Sequence, residues 1–373
     1  MISDVLAKMQ AAAENPQALK ERYLAEGRKI VLTAPVYTPA EIIHSMGLVP
    51  MGAWGGDTQL NAAKKYYPAF LCAIVQSITE LGMRGVYDGV SAILVPSLCD
   101  SLKVLGENWK YAVPEIPFIP MTYPQNRKPE YALDFTVAGY RRVIRDLEQI
   151  TGSSFSEERL KESMALYNEH NALMRQVSAE LAAHPEITAA ERSAIFKSAW
   201  FLRREEHCGL CRELLDELKN SSAGNEKKIP VAVTGILADA PGLLKILDEN
   251  GLQIVADDVA AESRQYRTDS IIGEDALYSL ARKFSARDCC SVLYDPEKKR
   301  VEALVETAKA AGARGVLMIL TKFCDPEEFD YPLIRRACTA AGLPFVSIET
   351  DRQMENHEQA ATIIETFRDM MED

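Results

Sequence analysis

Short apolar runs alternate with helical stretches in two separate parts of the chain, and this pattern restricts the fold more than any other feature. Before residue 133 the predicted strands cover residues 29–35, 48–54, 90–98 and 116–122. After residue 225 they cover residues 229–234, 252–256, 315–323 and 344–349. Buried strands that alternate with helices at this spacing form parallel sheets. The sequence therefore predicts the α/β class, with one Rossmann-like parallel-sheet lobe in each part.

The stretch between these two parts is poor in glycine and rich in Leu, Ala, Glu, Arg and Lys at helical spacing. We interpret residues 133–220 as helical and residues 221–225, SSAGN, as a linker. A chain of 373 residues is long enough for two or three domains. The predicted domains are an N-terminal α/β lobe at 1–132, a helical segment with its linker at 133–225, and a C-terminal α/β lobe at 226–373.

The charge balance argues against a nucleic-acid-binding protein. The 42 Lys and Arg residues stand against 54 Asp and Glu, which gives a net charge of −12, and no dense basic run is present. No apolar run is long enough to cross a membrane, and the polar N-terminus, MISD, does not begin a signal peptide. We therefore expect a cytoplasmic protein with no nucleic-acid or membrane partner. A small anionic ligand is still compatible, because it needs only a local pocket.

The eight cysteines carry the main question about function. A cytoplasmic protein rarely forms disulfides, so each thiol is a buried apolar group, a reactive thiol or a metal ligand. The cysteines are Cys72, Cys99, Cys208, Cys211, Cys289, Cys290, Cys324 and Cys338.

Two of these cysteines follow a buried strand in the same way. Residues 91–100 read SAILVPSLCD and residues 315–325 read GVLMILTKFCD, so each strand is followed by Cys-Asp and then by a helix. This repeat indicates that the two lobes share a duplicated architecture. It places Cys99 and Cys324 at the carboxyl ends of strands, which is the edge where open α/β sheets bind their ligands.

A third cysteine is predicted in the same kind of position. Cys72 lies in the first turn of a helix predicted to begin near Pro68, and Asp325 is predicted to cap the helix that follows Cys324. Free N–H groups at a helix N-terminus favour a thiolate. Three such thiols in one cleft suit a [4Fe–4S] cluster and leave one iron for another ligand. Zinc is the competing metal, although structural zinc sites use paired short spacings, and small buried cysteines are the alternative without a metal.

The most conspicuous cysteine motif is a single C-x-x-C. His207 precedes Cys208 and Cys211 in a charged helical stretch that lacks the strand context of a thioredoxin motif. We interpret both cysteines as residues on the surface of a helix. The remaining three are interpreted as packing residues: Cys289, Cys290 and Cys338.

A short helix follows the first predicted strand. Thr38 and Glu41 are predicted to form a capping box at its start. His44 lies within this helix, and we expect it to be packed or hydrogen-bonded rather than a metal ligand.

A group of acidic residues follows the strand at residues 252–256. We interpret Asp257, Asp258 and Glu262 as caps of the next helix, with a bound cation as the alternative. The glycine-rich residues 52–56, GAWGG, lack the lysine and hydroxyl of a phosphate-binding loop, so the sequence does not predict a nucleotide site there.

Several segments, including those around the three cysteines, resemble a known family. They are PAFLC (68–72), VPSLCDSL (95–102), KFCDPEEFDYP (322–332), YTPAEII (37–43), TGILAD (234–239) and ADDVAAESR (256–264). Over nearly its whole length the chain is similar to the 2-hydroxyacyl-CoA dehydratase / benzoyl-CoA reductase family. The strongest likeness is to the β subunits of (R)-2-hydroxyglutaryl-CoA and (R)-2-hydroxyisocaproyl-CoA dehydratases.

The resemblance implies an oxygen-sensitive heterodimer in which each subunit holds one [4Fe–4S] cluster through three cysteines, here Cys72, Cys99 and Cys324. It implies that an ATP-dependent iron–sulfur activator protein injects one electron, which reduces the thioester carbonyl of an (R)-2-hydroxyacyl-CoA to a ketyl radical. That radical expels the 2-hydroxyl group, a proton leaves C3, and the electron is recycled as the (E)-2-enoyl-CoA forms. The implied enzyme is a lyase of the hydro-lyase type that works through a redox step.

Within that scheme the resemblance implies that this chain is an electron relay and scaffold, while the α subunit holds most of the acyl-CoA substrate. Many relatives carry Gln-x-x-Thr-Arg near the C-terminus, but here Gln359 and Thr362 are followed by Ile363. This departure argues against a self-sufficient catalytic subunit. Some relatives suggest FMN as a further cofactor. Two other interpretations stay open: a benzoyl-CoA reductase-like or double-cubane-cluster reductase subunit, and a non-catalytic α/β ligand-binding module.

Overall fold

Two four-stranded sheets form the frame of the molecule, and the computed structural model describes residues 2–221, 224, 226–353 and 356–372. The strands of the first sheet are β1 (Ile30–Thr33), β2 (Val49–Gly52), β3 (Ala92–Pro96) and β4 (Phe118–Met121). The strands of the second are β5 (Ile229–Gly235), β6 (Leu252–Val259), β7 (Gly315–Thr321) and β8 (Phe345–Thr350). The first sheet has the order β2-β1-β3-β4 and the second the order β6-β5-β7-β8, and all neighbours are parallel.

The two sheets therefore have the same connectivity. This confirms the predicted α/β class with two Rossmann-like lobes, and it explains the repeat in the sequence, because β3 and β7 occupy the same place in their sheets. The predicted domain boundaries stay predictions. Three residues of the predicted linker lie outside the described residues: Ser222, Ala223 and Asn225.

In the first part of the chain, helices alternate with strands as predicted, with one clear difference at the N-terminus. The apolar spacing of residues 1–26 predicts one helix that Gly27 ends, but the structure has two helices there, because Pro16 has no N–H with which to continue the first one. Asn15 caps the second helix, since its Oδ1 accepts from the N–H of Ala18 at 3.1 Å. The helices are α1 (Ile2–Glu14), α2 (Pro16–Ala25), α3 (Ala40–Ser45), a 3₁₀ turn (Ala63–Lys65), α4 (Ala73–Met83) and α5 (Asp100–Ala112).

Helices occupy the predicted middle segment and the outside of the second sheet. The middle helices are α6 (Glu130–Thr151), α7 (Glu157–Leu181), α8 (Ala189–Ser198) and α9 (Arg204–Asn220). Those of the last part are α10 (Pro241–Glu249), α11 (Ser263–Tyr266), α12 (Ala276–Ala286), α13 (Lys299–Ala310), α14 (Asp325–Ala340) and α15 (Glu358–Glu372). Within the described ranges no helix has the length and apolar character needed to cross a bilayer.

The start of α3 differs from the predicted capping box. Thr38 Oγ1 donates to the carbonyl of Ala34 at 2.8 Å, and Glu41 Oε1 lies 2.7 Å from Lys283 Nζ on α12. Burial opposes ionisation of Glu41, but the charge and hydrogen bond of Lys283 outweigh it and lower the pKa of Glu41 below its usual value. The capping prediction is wrong because a buried carboxylate needs a charged partner. The resulting ion pair joins the first lobe to the second.

Three histidines are hydrogen-bonded where the helical segment packs. His44 Nδ1 lies 2.9 Å from Ser163 Oγ, which confirms the structural role expected for this residue. His170 Nε2 lies 2.8 Å from His207 Nδ1, and both rings are buried. Burial and the positive charge of Arg204 lower the pKa of His207 to about 3 and the pKa of His170 well below its usual value. Both rings are therefore neutral in the folded protein.

We predict that His207 makes the fold sensitive to acid. The unfolded chain takes up a proton at this ring below about pH 6.5, whereas the folded chain resists until about pH 3, so folding stability falls as the pH falls through this window. The slope of the unfolding free energy against pH should decrease in His207→Gln by up to about 1.4 kcal/mol per pH unit. Urea unfolding at a series of pH values measures this slope. An unchanged slope in His207→Gln would contradict the prediction.

Candidate functional site

Cys99 and Cys324 occupy equivalent positions at the carboxyl ends of the two sheets. Each is the N-cap of the helix that follows the third strand of its sheet, α5 for Cys99 and α14 for Cys324. Phe323 has a φ of 61°, which a residue other than glycine rarely adopts, so the chain turns sharply between β7 and α14. Asp325 is the first helical residue rather than the predicted N-cap, because the carbonyl of Cys324 already accepts from the N–H of Glu327 at 3.0 Å.

Cys72 is also an N-cap, at the start of α4. This helix begins at Ala73 and not near Pro68 as predicted, because Pro68 lies in a turn before it. The N–H of Ala73 donates to the carbonyl of Lys322 at 3.3 Å. Lys322 lies two positions before Cys324 in the sequence. The hydrogen bond therefore places Cys72, from the first lobe, beside the strand end that carries Cys324.

The three thiols influence one another electrostatically. Burial raises the pKa of Cys99 to about 12, and the nearby Cys72 adds to the rise. Burial also raises the pKa of Cys324 well above its usual value, with contributions from Cys72 and Cys99, and it raises the pKa of Cys72. Because such effects fall off with distance, the three thiols lie near one another. At neutral pH they are uncharged.

Backbone N–H groups in the first turn of each helix partly offset this effect of burial. They stabilise the thiolate form, and hydrogen bonds of this kind also tune the potential of an iron–sulfur cluster. The donors are Ile74 and Val75 for Cys72, Ser101 and Leu102 for Cys99, and Glu327 for Cys324.

A cavity of about 480 Å³ adjoins Cys99. Cys99, Asp325 and Phe329 form part of its wall. Cys99 is partly exposed, whereas Cys72 and Cys324 are buried, so the site is reached from the side of Cys99. The volume falls within the range of small-molecule and cofactor sites.

A buried network of charges fixes the first turn of α14. Glu327 pairs with Arg300 at 2.7 Å and with Arg264 at 3.1 Å. Asp258 pairs with the same two arginines, at 2.8 Å and 2.9 Å respectively. Burial opposes ionisation of Glu327, but the two arginines outweigh it and lower its pKa. Because Glu327 belongs to the turn that begins at Cys324, the network holds this thiol in place.

The acidic residues after β6 act mainly as ion-pair partners. Arg192 contacts Asp257 and Glu262, each at 2.6 Å, and Asp258 belongs to the network described above. Asp257 Oδ1 also accepts from the N–H of Ser263 at 3.1 Å, so a part of the capping prediction is correct. The sequence left a bound cation open as the partner of these acidic residues. In the structure, arginine side chains supply the positive charge instead.

Cys208 and Cys211 are buried, so the prediction that they lie on a helix surface is wrong. Cys211 Sγ lies 3.6 Å from Met174 Sδ on α7, against which α9 packs. His207, Cys211 and Leu214 share the buried side of α9. Charged residues lie between these three positions in the sequence, so the buried side of the helix is not evident from the sequence.

One group that could hold a metal ion was missed by sequence reasoning. The ligand atoms of His170, His207 and Cys211 all lie within 4.8 Å of one another, and all three residues are buried. Two imidazoles and a thiol suit zinc and similar transition metals. Arg204 Nη1, however, lies 3.1 Å from His170 Nδ1, and this fixed positive charge opposes a second cation. The C-x-x-C motif signals His207 and Cys211, but only the packing of α7 on α9 adds His170.

The other cysteines mostly pack as predicted. Cys290 and Cys338 are buried in apolar clusters. Cys289 is different, because it is only partly buried and has a φ of 57°. The apolar run CSVLY at residues 290–294 predicts a helix end or a short strand, but the structure has neither there.

Two lobes of the same parallel topology, each with a cysteine N-cap after its third strand, define an α/β protein of duplicated architecture. The family model for the 2-hydroxyglutaryl-CoA dehydratase D-component matches residues 35–371, and the chain belongs to this family.

Three characterised relatives are similar over nearly their whole length. The chain is 42% identical to the (R)-phenyllactyl-CoA dehydratase beta subunit of Clostridium sporogenes, over 96% of both chains. It is 37% identical to the lactoyl-CoA dehydratase subunit beta of Anaerotignum propionicum, over 99% of both chains. It is 33% identical to the (R)-2-hydroxyglutaryl-CoA dehydratase subunit beta of Acidaminococcus fermentans, over 99% of this chain and 100% of the relative. These similarities confirm the predicted family and the predicted enzyme class, a dehydratase subunit.

We predict that Arg300 is essential for the stability of α14. Arg300→Met leaves Asp258 and Glu327 with one fewer positive partner in a buried environment, so we expect a loss of about 3–5 kcal/mol in the free energy of unfolding. Urea unfolding measures the loss. The control is Arg336→Met on the exposed side of α14, which should change stability by less than about 0.5 kcal/mol. Equal midpoints for the two variants would show that the network does not stabilise the fold.

Proposed function

We propose that the chain is the β subunit of a cytoplasmic (R)-2-hydroxyacyl-CoA dehydratase and that Cys72, Cys99 and Cys324 hold one [4Fe–4S] cluster. The observation that supports this proposal is that three N-cap thiols, two of them at the ends of equivalent strands, are near enough to raise one another's pKa. When bound, such a cluster supplies a centre that accepts and passes on a single electron. The residues of this chain hold it, shield it and tune it.

The chemistry of the donors favours a cluster over a single zinc ion. The thiols come from three separate helix starts, whereas structural zinc sites use paired short spacings. Each thiol also faces backbone N–H groups, which stabilise the sulfurs of a cluster. Three cysteines leave one iron free for another ligand, and the cavity beside Cys99 provides room for it. A flavin (FMN) is a further candidate cofactor for the complex.

The proposed partner is a dehydratase α subunit that holds most of the acyl-CoA substrate, with an ATP-dependent iron–sulfur activator as the electron donor. The relatives named above are all beta subunits. Two aromatic residues flank the thiols and are exposed to solvent, Phe70 by 71% and Phe329 by 74%. Large apolar side chains with this exposure suit a subunit interface. A partner on this face would lie close enough to exchange electrons with the thiol site.

We predict that each of the three cysteines is needed for iron. Cys72→Ser, Cys99→Ser and Cys324→Ala should each lose most of the iron, the brown colour and the dehydratase activity of the complex, while the fold is largely kept. Iron and sulfide analysis after anaerobic purification measures this, and the wild-type chain should contain about four of each.

Cys208→Ser is the matched control for these variants and should retain iron and activity. Loss of colour in Cys208→Ser but not in Cys72→Ser would contradict the ligand assignment. A colourless wild-type chain without iron would instead support a non-catalytic module. About twice the expected iron would indicate a double-cubane reductase.

We also predict that Phe329 contributes to binding of the α subunit. Phe329→Arg places a charge in the proposed interface, so the affinity between the subunits should fall about tenfold or more. Anaerobic co-purification and titration of the two subunits measure the change. Tyr111→Arg is the control, because Tyr111 is 76% exposed but lies at the other end of α5 from Cys99. Equal affinities for the two variants would place the partner elsewhere.

A further inference from the structure

A second, smaller cavity lies where the helical segment meets both lobes. Its volume is about 60 Å³, and the residues of the thiol cleft take no part in its wall. The wall combines positive charges with aromatic rings and one acid: Arg204, Arg287, Lys283, Tyr37, Tyr167 and Glu41.

Each of the two arginines is stacked on a tyrosine. The guanidinium carbon of Arg204 lies 4.5 Å from the ring centre of Tyr167, and that of Arg287 lies 4.3 Å from the ring centre of Tyr37. Stacking of this kind holds the plane of a guanidinium and presents its N–H groups in a fixed direction. Within the described part of the chain, neither guanidinium forms an ion pair with a carboxylate.

Three hydrogen-bond donors in this wall are buried without a partner among the described residues. They are Arg204 Nε, Arg287 Nη1 and Tyr167 Oη, and Tyr167 as a whole is only 6% exposed. Buried polar groups are nearly always hydrogen-bonded, because an unsatisfied one costs about 1–3 kcal/mol. Since the two guanidinium groups can only donate, the missing partner is an acceptor.

The charges around the cavity show what kind of acceptor is missing. Lys283 is already paired with Glu41 at 2.7 Å, and His170, which also lines the cavity, is neutral because burial and Arg204 lower its pKa. Neither stacked guanidinium therefore has a carboxylate partner of its own among the described residues, although the charge of Glu41 also acts on Arg287. Water would satisfy the donors but not the two positive charges, whereas an anion would do both.

The turn after β1 supports a built site. Val36 and Tyr37 have φ values of 38° and 61°, a conformation that is costly for residues other than glycine and that clusters at functional sites. Tyr123 Oη donates to the carbonyl of Tyr37 at 2.7 Å and holds this turn. The turn places the ring of Tyr37 under Arg287.

We propose that this cavity binds one small oxyanion, a carboxylate or phosphate group, between Arg204, Arg287 and Tyr167. At roughly 30 Å³ for a water molecule, the volume accepts an ion of the size of acetate or phosphate and not a nucleotide. The proposal does not depend on the iron–sulfur cluster or on the dehydratase reaction. The bound oxyanion would contact both lobes and the helical segment and would stabilise the junction where the three meet.

The test uses the full-length chain together with its co-purified partner. Thermal unfolding is followed in sodium acetate, sodium phosphate and sodium chloride at equal ionic strength, because a ligand that binds the folded state raises the midpoint with its concentration. We expect acetate or phosphate to raise the midpoint more than chloride does. The oxyanion with the larger shift identifies the source of the ligand.

Two variants and one control test the location of the ion. Arg287→Met should weaken binding about tenfold or more, since a charged hydrogen bond is lost. Arg282→Met, at an exposed position on the same helix, should bind as the wild type does. Tyr167→Phe removes only the unpartnered hydroxyl, so it should fold normally and bind the anion more weakly.

Three results would overturn the proposal. Shifts that keep rising with salt concentration and do not saturate would show a general salt effect, and the absence of any shift would show a cavity that holds only water. Binding that is the same in Arg287→Met, Tyr167→Phe and Arg282→Met would place the ion elsewhere. If Arg287→Met fails to fold, Tyr167→Phe alone decides the outcome.

Discussion

The buried ion network around Glu327 is the interaction on which the arrangement of the second lobe depends. It joins the end of β6, through Asp258, to α11, α13 and the first turn of α14, through Arg264, Arg300 and Glu327. Each charge is removed from water, so each needs its partners in place, and the loss of one leaves the others uncompensated. The network therefore gives the start of α14 a single position, and Cys324 is the N-cap of that helix.

The thiol site combines two opposing effects on the same sulfurs. Burial makes a thiolate costly, whereas the N–H groups at three helix starts make it favourable. The proposed cluster would resolve this conflict, because its iron would take the place of the protons and the N–H groups would still face the sulfurs. The duplicated sheets account for the geometry: equivalent strands end at Cys99 and Cys324, and a backbone hydrogen bond from Ala73 to Lys322 adds Cys72.

The junction of the three segments follows a different rule. In the network around Glu327 each charge has its counterpart in the protein, but at the smaller cavity Arg204 and Arg287 form no ion pair with a carboxylate among the described residues. Lys283 and Glu41 lie in the same cavity wall and form an ion pair. This pair shows that a positive charge buried here requires a negative partner. The proposed oxyanion would complete the junction in the same way, and it would couple the packing of the helical segment to both lobes.

The sequence by itself determined the class of fold, the two lobes and the cysteines at the strand ends, because buried strands, Cys-Asp helix starts and family motifs are local patterns. It did not determine the partners of Asp258, Glu41 and Glu262, which were interpreted as caps. Nor did it show that Cys208 and Cys211 are buried or that His170 lies beside them. Only the tertiary structure decided these points, because the cost of burying a charge or a ring depends on residues from distant parts of the chain, and those residues become neighbours only when the helices pack.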